Sequence, residues 1–232
     1  MLRKIKEPFN SLSHLAGALI SVVLTVFFIV LALRHEDALY LVGFLIFGIA
    51  LVLLYTASAV YHMLPLSENE NALPATAAKI LRNEKISKIL RRIDHMMIFV
   101  LIAGTYTPVC LVNLRGPWGW GLLAAIWALA FAGIILKACW INAPRWLSTI
   151  IYLFMGWLIV TAFYPLAKSV SASGVLLLIL GGVAYSLGAV VYALKWPKLP
   201  FKHFGSHEIF HLFVLGGSGL HVLFMFRYVL RV

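Results

Sequence analysis

A chain of 232 residues that is 62% hydrophobic and only 12% charged carries about half the charged share of an ordinary soluble domain. No globule of this length needs so much apolar surface inside, so lipid is the solvent for most of the chain and no room is left for a soluble domain. The formal charge of +11 falls mostly in loops between apolar stretches, where anionic lipid headgroups account for it more simply than nucleic acid does.

Seven stretches reach the roughly 20 residues that cross a bilayer: about 12–33, 38–64, 93–114, 118–139, 146–166, 173–195 and 207–229. They predict an all-α, seven-transmembrane helical bundle forming one integral membrane domain over 1–232, a multi-pass protein of the cell membrane. Arg3, Lys4 and Lys6 resemble the head of a secretory signal. The apolar run from Leu15 to Leu33 is too long for a signal core, and a retained anchor is expected.

Glu7, Asn10 and His14 lead into the first span at i, i+3, i+7 spacing, which puts them on one helix face. Ser58 and His62 stand four apart near the end of the second span, again on one face. Between about 75 and 93, Ile86, Ile89, Leu90 and Ile93 recur at helical spacing among Lys85, Lys88, Arg91 and Arg92. Two readings stay open there: a helix lying on the membrane surface, or an extension of the third span. Asp94 begins that span, and Gly104-Thr105-Tyr106-Thr107-Pro108 holds the one proline well inside any span, where a kink is expected.

Trp118 and Trp120 open the fourth span, Trp140 and Trp146 flank the loop after it, and Trp196 follows the sixth. Indoles favour the headgroup region, so these read as belt residues. Cys110 and Cys139 fall near opposite ends of their helices, which indicates neither a disulfide nor a thiolate site. The seventh span opens with His207-Glu208-Ile209-Phe210-His211.

Fourteen of the 19 lysines and arginines lie in the N-terminal tail and the second-to-third, fourth-to-fifth and sixth-to-seventh loops, Lys137 and Arg145 being counted in the fourth-to-fifth. Positive loops mark the cytoplasm, which puts the N-terminus inside and the C-terminus outside. On that topology the costly polar groups of spans one, two, three and seven come to one depth, near the cytoplasmic boundary. A shared site is the economical explanation.

Imidazole is poorly suited to facing lipid and well suited to binding a transition metal. His207 and His211, one turn apart, stack two rings toward one ion, and His62 supplies a third at matching depth. Three histidines with an open fourth position are one common catalytic zinc set. The segment also matches the zinc-protease pattern H-E-x-x-H, with Glu208 as general base. Glu208 is the last acidic residue in the chain, however, and His221 lies about 15 Å farther along the helix on another face. His62 is the better third ligand.

Glu7-x-x-Asn10-x-x-x-His14, Ser58-x-x-x-His62, Asp94 and His207-x-x-x-His211, together with Gly104-Thr105-Tyr106-Thr107-Pro108 and Leu215-Gly216-Gly217-Ser218-Gly219-Leu220-His221, resemble the hemolysin III branch of the progestin–adiponectin receptor family over essentially the whole chain. The resemblance implies zinc held by His62, His207 and His211, with Ser58 and Asp94 beside the zinc-bound water. Related receptors and alkaline ceramidases are regarded as lipid amide hydrolases, and bacterial members are named for haemolysis and linked to membrane lipid homeostasis.

The expectation is a zinc-dependent hydrolase of lipid amide or ester bonds drawn from the inner leaflet. Asp94 would take a proton, Ser58 would hold the water, and Glu7, Asn10 and His14 would steady the site or meet a headgroup. The basic loop 79–92 would attract anionic headgroups. Two rival readings are a membrane-permeabilising cytolysin and a receptor or sensor with structural zinc. A pore calls for a polar stripe along several helices, which this chain lacks.

Overall fold

Each apolar run forms a helix that stops where the chain supplies a proline, a glycine or a charge. A computed structural model describes residues 7–64, 84–140, 144–200 and 204–231. α1, Pro8–Ala32, carries its proline in the first turn, where the missing donor is harmless. α2, Ala38–His62, is capped by Asp37, whose carboxylate accepts the Leu39 N–H at 2.9 Å. α3 is Glu84–Pro108 and continues as a π-helical turn over Val109–Leu114; α4 is Gly116–Cys139. α5, Arg145–Trp157, passes through a 3-10 turn at Leu158–Ala162 into α6, Phe163–Ser169. α7 is Ala172–Leu194, and α8, Ser206–Phe224, ends in a π turn over Met225–Val229.

Among the described residues, seven such spans are long and apolar enough to cross a membrane, and none is a strand. The seven-helix, all-α expectation therefore holds. The third helix corrects its boundary: it starts at Glu84 rather than 93, so Asp94 sits well inside it. From residue 84 the basic segment is a continuous extension of the span, not a separate surface helix; residues 75–83 of that reading lie outside the described residues. Trp118, Trp120, Trp140, Trp146 and Trp196 are all exposed, and both cysteines are free.

The expected kink at Pro108 takes the form of a change from α to π geometry. Pro108 has no N–H for the carbonyl of Gly104, and Thr105 and Thr107 turn their hydroxyls back onto Leu101 O and Ala103 O at 2.7 and 2.8 Å. Helix α2 presses close here: a Cβ on Gly43 would stand 2.9 Å from Pro108 Cα.

The break between α5 and α6 divides a span that reads as one continuous helix in the sequence. Tyr106 of α3 satisfies the groups the break exposes: its hydroxyl lies 2.9 and 2.8 Å from Met155 O and Gly156 O, and accepts the Ile159 N–H at 2.8 Å. Buried backbone groups in a membrane have no water to fall back on, so a side chain from a neighbour must serve them.

Fully buried Phe28, Phe44, Phe47, Phe99 and Phe224 fill the centre. α7 packs along α8 through a face of Gly174, Gly181 and Gly188, its buried residues. A Cβ on Gly188 would meet Phe213 Cβ at 2.7 Å, and one on Gly181 would enter the ring of His221. Small residues let two helices approach this closely in lipid.

Candidate metal centre

His62 is the last residue of α2, while His207 and His211 occupy the first two turns of α8. Antiparallel threading brings both helix ends to the same end of the bundle, the one at which α1 begins. Ligand nitrogens of the three imidazoles all lie within 4.8 Å of one another. Ring centroids stand 5.1 Å apart for His62 and His207, 4.8 Å for His62 and His211, and 4.9 Å for His207 and His211.

His62 is 1% exposed and His211 2%. Nε2 of His62 and Nδ1 of His211 are buried without a hydrogen-bond partner. Each such group costs about 1–3 kcal/mol if nothing meets it. Mutually adjacent, neutralisable imidazoles with spare lone pairs are the donor set a transition metal takes, so these residues fit a metal ion.

Glu7, just before α1, places Oε2 2.6 Å from His62 Nδ1 and 3.4 Å from His207 Nδ1. Burial works to raise the pKa of Glu7, but the imidazoles of His207 and His62 outweigh it and hold the carboxyl well below the usual carboxylate range. A carboxylate against ligand imidazoles fixes their ring orientation. Asn10 gives its amide to both Glu7 Oε2 and Glu208 Oε1, each at 2.9 Å.

Glu208 is fully engaged. Its Oε2 accepts the Gly205 N–H at 2.8 Å, closing the start of α8, and its Oε1 takes Asn10. Through Asn10 it ties the start of α8 to the start of α1.

Ser58, buried on α2 one turn from His62, hydrogen-bonds to Asp94 of α3. His14 stacks on His211 with centroids 3.9 Å apart and meets Tyr55 edge-on at 5.0 Å. Residues from α1, α2, α3 and α8 thus gather at one end. Asn10 stands apart in one respect: it braces carboxylates and does not line the cavity described next.

That cavity, about 750 Å³, begins at Glu7, Ser58, Asp94 and His207 and runs down past Tyr106 and Trp157 to His221. The Nδ1–H of His221 donates to Gly217 O at 2.8 Å. Beside it, Ser218 joins Tyr55 at 2.6 Å and Tyr185 at 2.8 Å, linking α2, α7 and α8 by hydroxyls. Sequence reasoning did not reach Lys137, Ser148, Tyr106 or Tyr185, which also line this space. For Lys137 a signal existed: it is the one charge in an otherwise apolar helix and was counted with the following loop.

An all-helical chain with seven membrane spans and three converging histidines over an internal cavity defines an integral, multi-pass membrane protein with a candidate metal centre. Comparison with known proteins agrees. The family model described as "Haemolysin-III related" matches residues 2–222, and the chain belongs to that family. It is 38% identical over 231 residues to "Hemolysin-3" of Bacillus cereus, covering 99% of this chain and 95% of the relative. It is 39% identical over 229 residues to the "Hemolysin-3 homolog" of Bacillus subtilis (strain 168), covering 98% and 97%. A more distant similarity, 27% over 189 residues, links it to the human "Monocyte to macrophage differentiation factor", covering 80% of this chain and 70% of that one.

Proposed function

We propose that this chain is a zinc-dependent hydrolase that cleaves an amide or ester bond of a membrane lipid on the cytoplasmic side of the cell membrane. The observation that carries this reading is the set of buried, unpartnered imidazole nitrogens at the head of a cavity of about 750 Å³, a size typical of pockets for small amphiphiles. The weight of Lys and Arg in loops at that end favours a cytoplasmic orientation, and the basic segment 79–92 would hold anionic headgroups against it.

His62, His207 and His211 would hold the ion, which when bound supplies Lewis acidity and a water of lowered pKa. Glu7 keeps the rings of His62 and His207 aimed. Asp94, whose carboxylate is held by the Ser58 hydroxyl, would accept the proton. Leu101, Ile102, Leu153 and Val214 line the cavity; they take the acyl chain and keep bulk water from the bond.

The test pairs metal analysis of purified protein with a lipid-hydrolysis assay on the wild type, His62→Ala and Asp94→Ala. His62→Ala should lose the metal, and Asp94→Ala should retain it while turnover falls about 10²–10⁴-fold. Full turnover in a verified metal-free preparation would refute the reading.

A further inference from the structure

The cavity has a second polar wall to which the hydrolase reading gives no task. Lys137, two residues before the end of α4, is 5% exposed and lines the cavity. A lysine at a helix end ordinarily snorkels its ammonium to the interface. This one is folded inward instead. No hydrogen bond or ion pair reaches it among the described residues.

The nearby carboxylates are committed elsewhere: Glu7 to His62 and His207, Asp94 to Ser58, Glu208 to Gly205 and Asn10. The other charges close by are positive. Arg91 of α3 is near enough for its charge to act on Lys137, and Lys195, just past α7, lines the same space. Ser148, in the first turn of α5 and lining the same cavity, is 5% exposed, and its Oγ is buried without a partner. All four residues lie at the histidine end of their helices.

Three cations and a spare hydroxyl thus line one cavity, and among the described residues its two carboxylates, Glu7 and Asp94, are already paired, so the buried Lys137 ammonium is unfavourable unless an anion meets it. We infer that Lys137, Arg91, Lys195 and Ser148 form a binding site for a phosphate group, and that the group is the headgroup phosphate of a phospholipid whose chains occupy the apolar part of the cavity. Ammonium, guanidinium and hydroxyl donors arriving from separate helices suit a tetrahedral oxyanion with three free oxygens better than a two-oxygen carboxylate. The inference deepens the hydrolase reading by naming the substrate class. It rests on that reading only for what becomes of the lipid once bound.

Binding is measured by calorimetric titration of the full chain in non-ionic detergent, on metal-stripped protein so that no turnover intervenes. Probes are dihexanoyl phosphatidate, dihexanoyl glycerol and inorganic phosphate. Wild type should prefer the phosphatidate over the neutral diacylglycerol by roughly tenfold or more. Lys137→Gln should erase that preference, Lys137→Arg should keep it, and Ser148→Ala should weaken it with the net charge unchanged. Equal binding of neutral and phosphate-bearing lipid, or an unaltered preference in both Lys137→Gln and Ser148→Ala, would overturn the site. Inorganic phosphate binding as tightly as phosphatidate would overturn the lipid assignment. Because no chemistry is read, a protein that binds as expected yet hydrolyses nothing refutes the enzyme reading alone. Metal-dependent hydrolysis with no phosphate preference refutes this inference alone.

Discussion

Asn10 and Glu208, 198 residues apart in the chain, are joined by a hydrogen bond of 2.9 Å that fastens the start of α1 to the start of α8. The same amide holds Glu7 against the histidines, so one buried side chain braces both helix ends that frame the candidate centre.

Replacing Asn10 with alanine should therefore destabilise the protein by about 1–3 kcal/mol, because two part-buried carboxylate oxygens each lose a donor at once. Thermal unfolding in detergent checks this. An unchanged midpoint would mean that the brace contributes nothing.

Glu7 touches two of the three imidazoles, so Glu7→Ala should weaken metal affinity by roughly 10–100-fold without abolishing it, whereas His211→Ala should remove stoichiometric metal. Competition with a chelator of known strength separates the two outcomes.

Tyr106 serves three backbone groups at the discontinuity of the fifth span. Tyr106→Phe takes the hydroxyl from all three, with only Met155 O keeping the backbone N–H of Leu158, and should cost about 1–3 kcal/mol. Hydrogen exchange at the Ile159 amide should quicken selectively. If it does not, some other group has taken over the hydroxyl's place.

Lysis, the activity that the names of two relatives carry, makes a separate demand. If the wild type releases dye from vesicles by a mechanism tied to the histidine centre, His62→Ala should stop the release. We expect leakage, where seen, to be the same in both proteins, since His62, His207 and His211 sit together at one end of the bundle rather than along a path through it.

The seven spans were legible because lipid imposes one simple rule, a long apolar run, and the chain obeys it. The meeting of His62, His207 and His211 was legible for a related reason: costly groups at matching helix ends have few places to go except together. What the sequence hides is tertiary. Pro165, in the first turn of α6, lacks an N–H and so marks a weak point nearby, but nothing local says that the helix opens over Leu158–Ala162 and borrows a phenol from α3. The inward turn of Lys137 is hidden likewise, since a charge two residues from a helix end reads as loop until its neighbours are known. Asp94 reads as the start of a span because the basic turns before it lower the hydropathy, although the helix itself runs on through them from Glu84.

One further consequence follows from the glycine face of α7. With nothing but backbone at Gly181 and Gly188, that seam has no rotamers to adjust and no methyl to trim, so its spacing is set by main chain lying against His221 and Phe213. The same helix supplies one wall of the chamber below the histidines. Any larger side chain on the seam would push that wall outward, so hydrogen atoms at two positions set the girth of the guest the protein can admit.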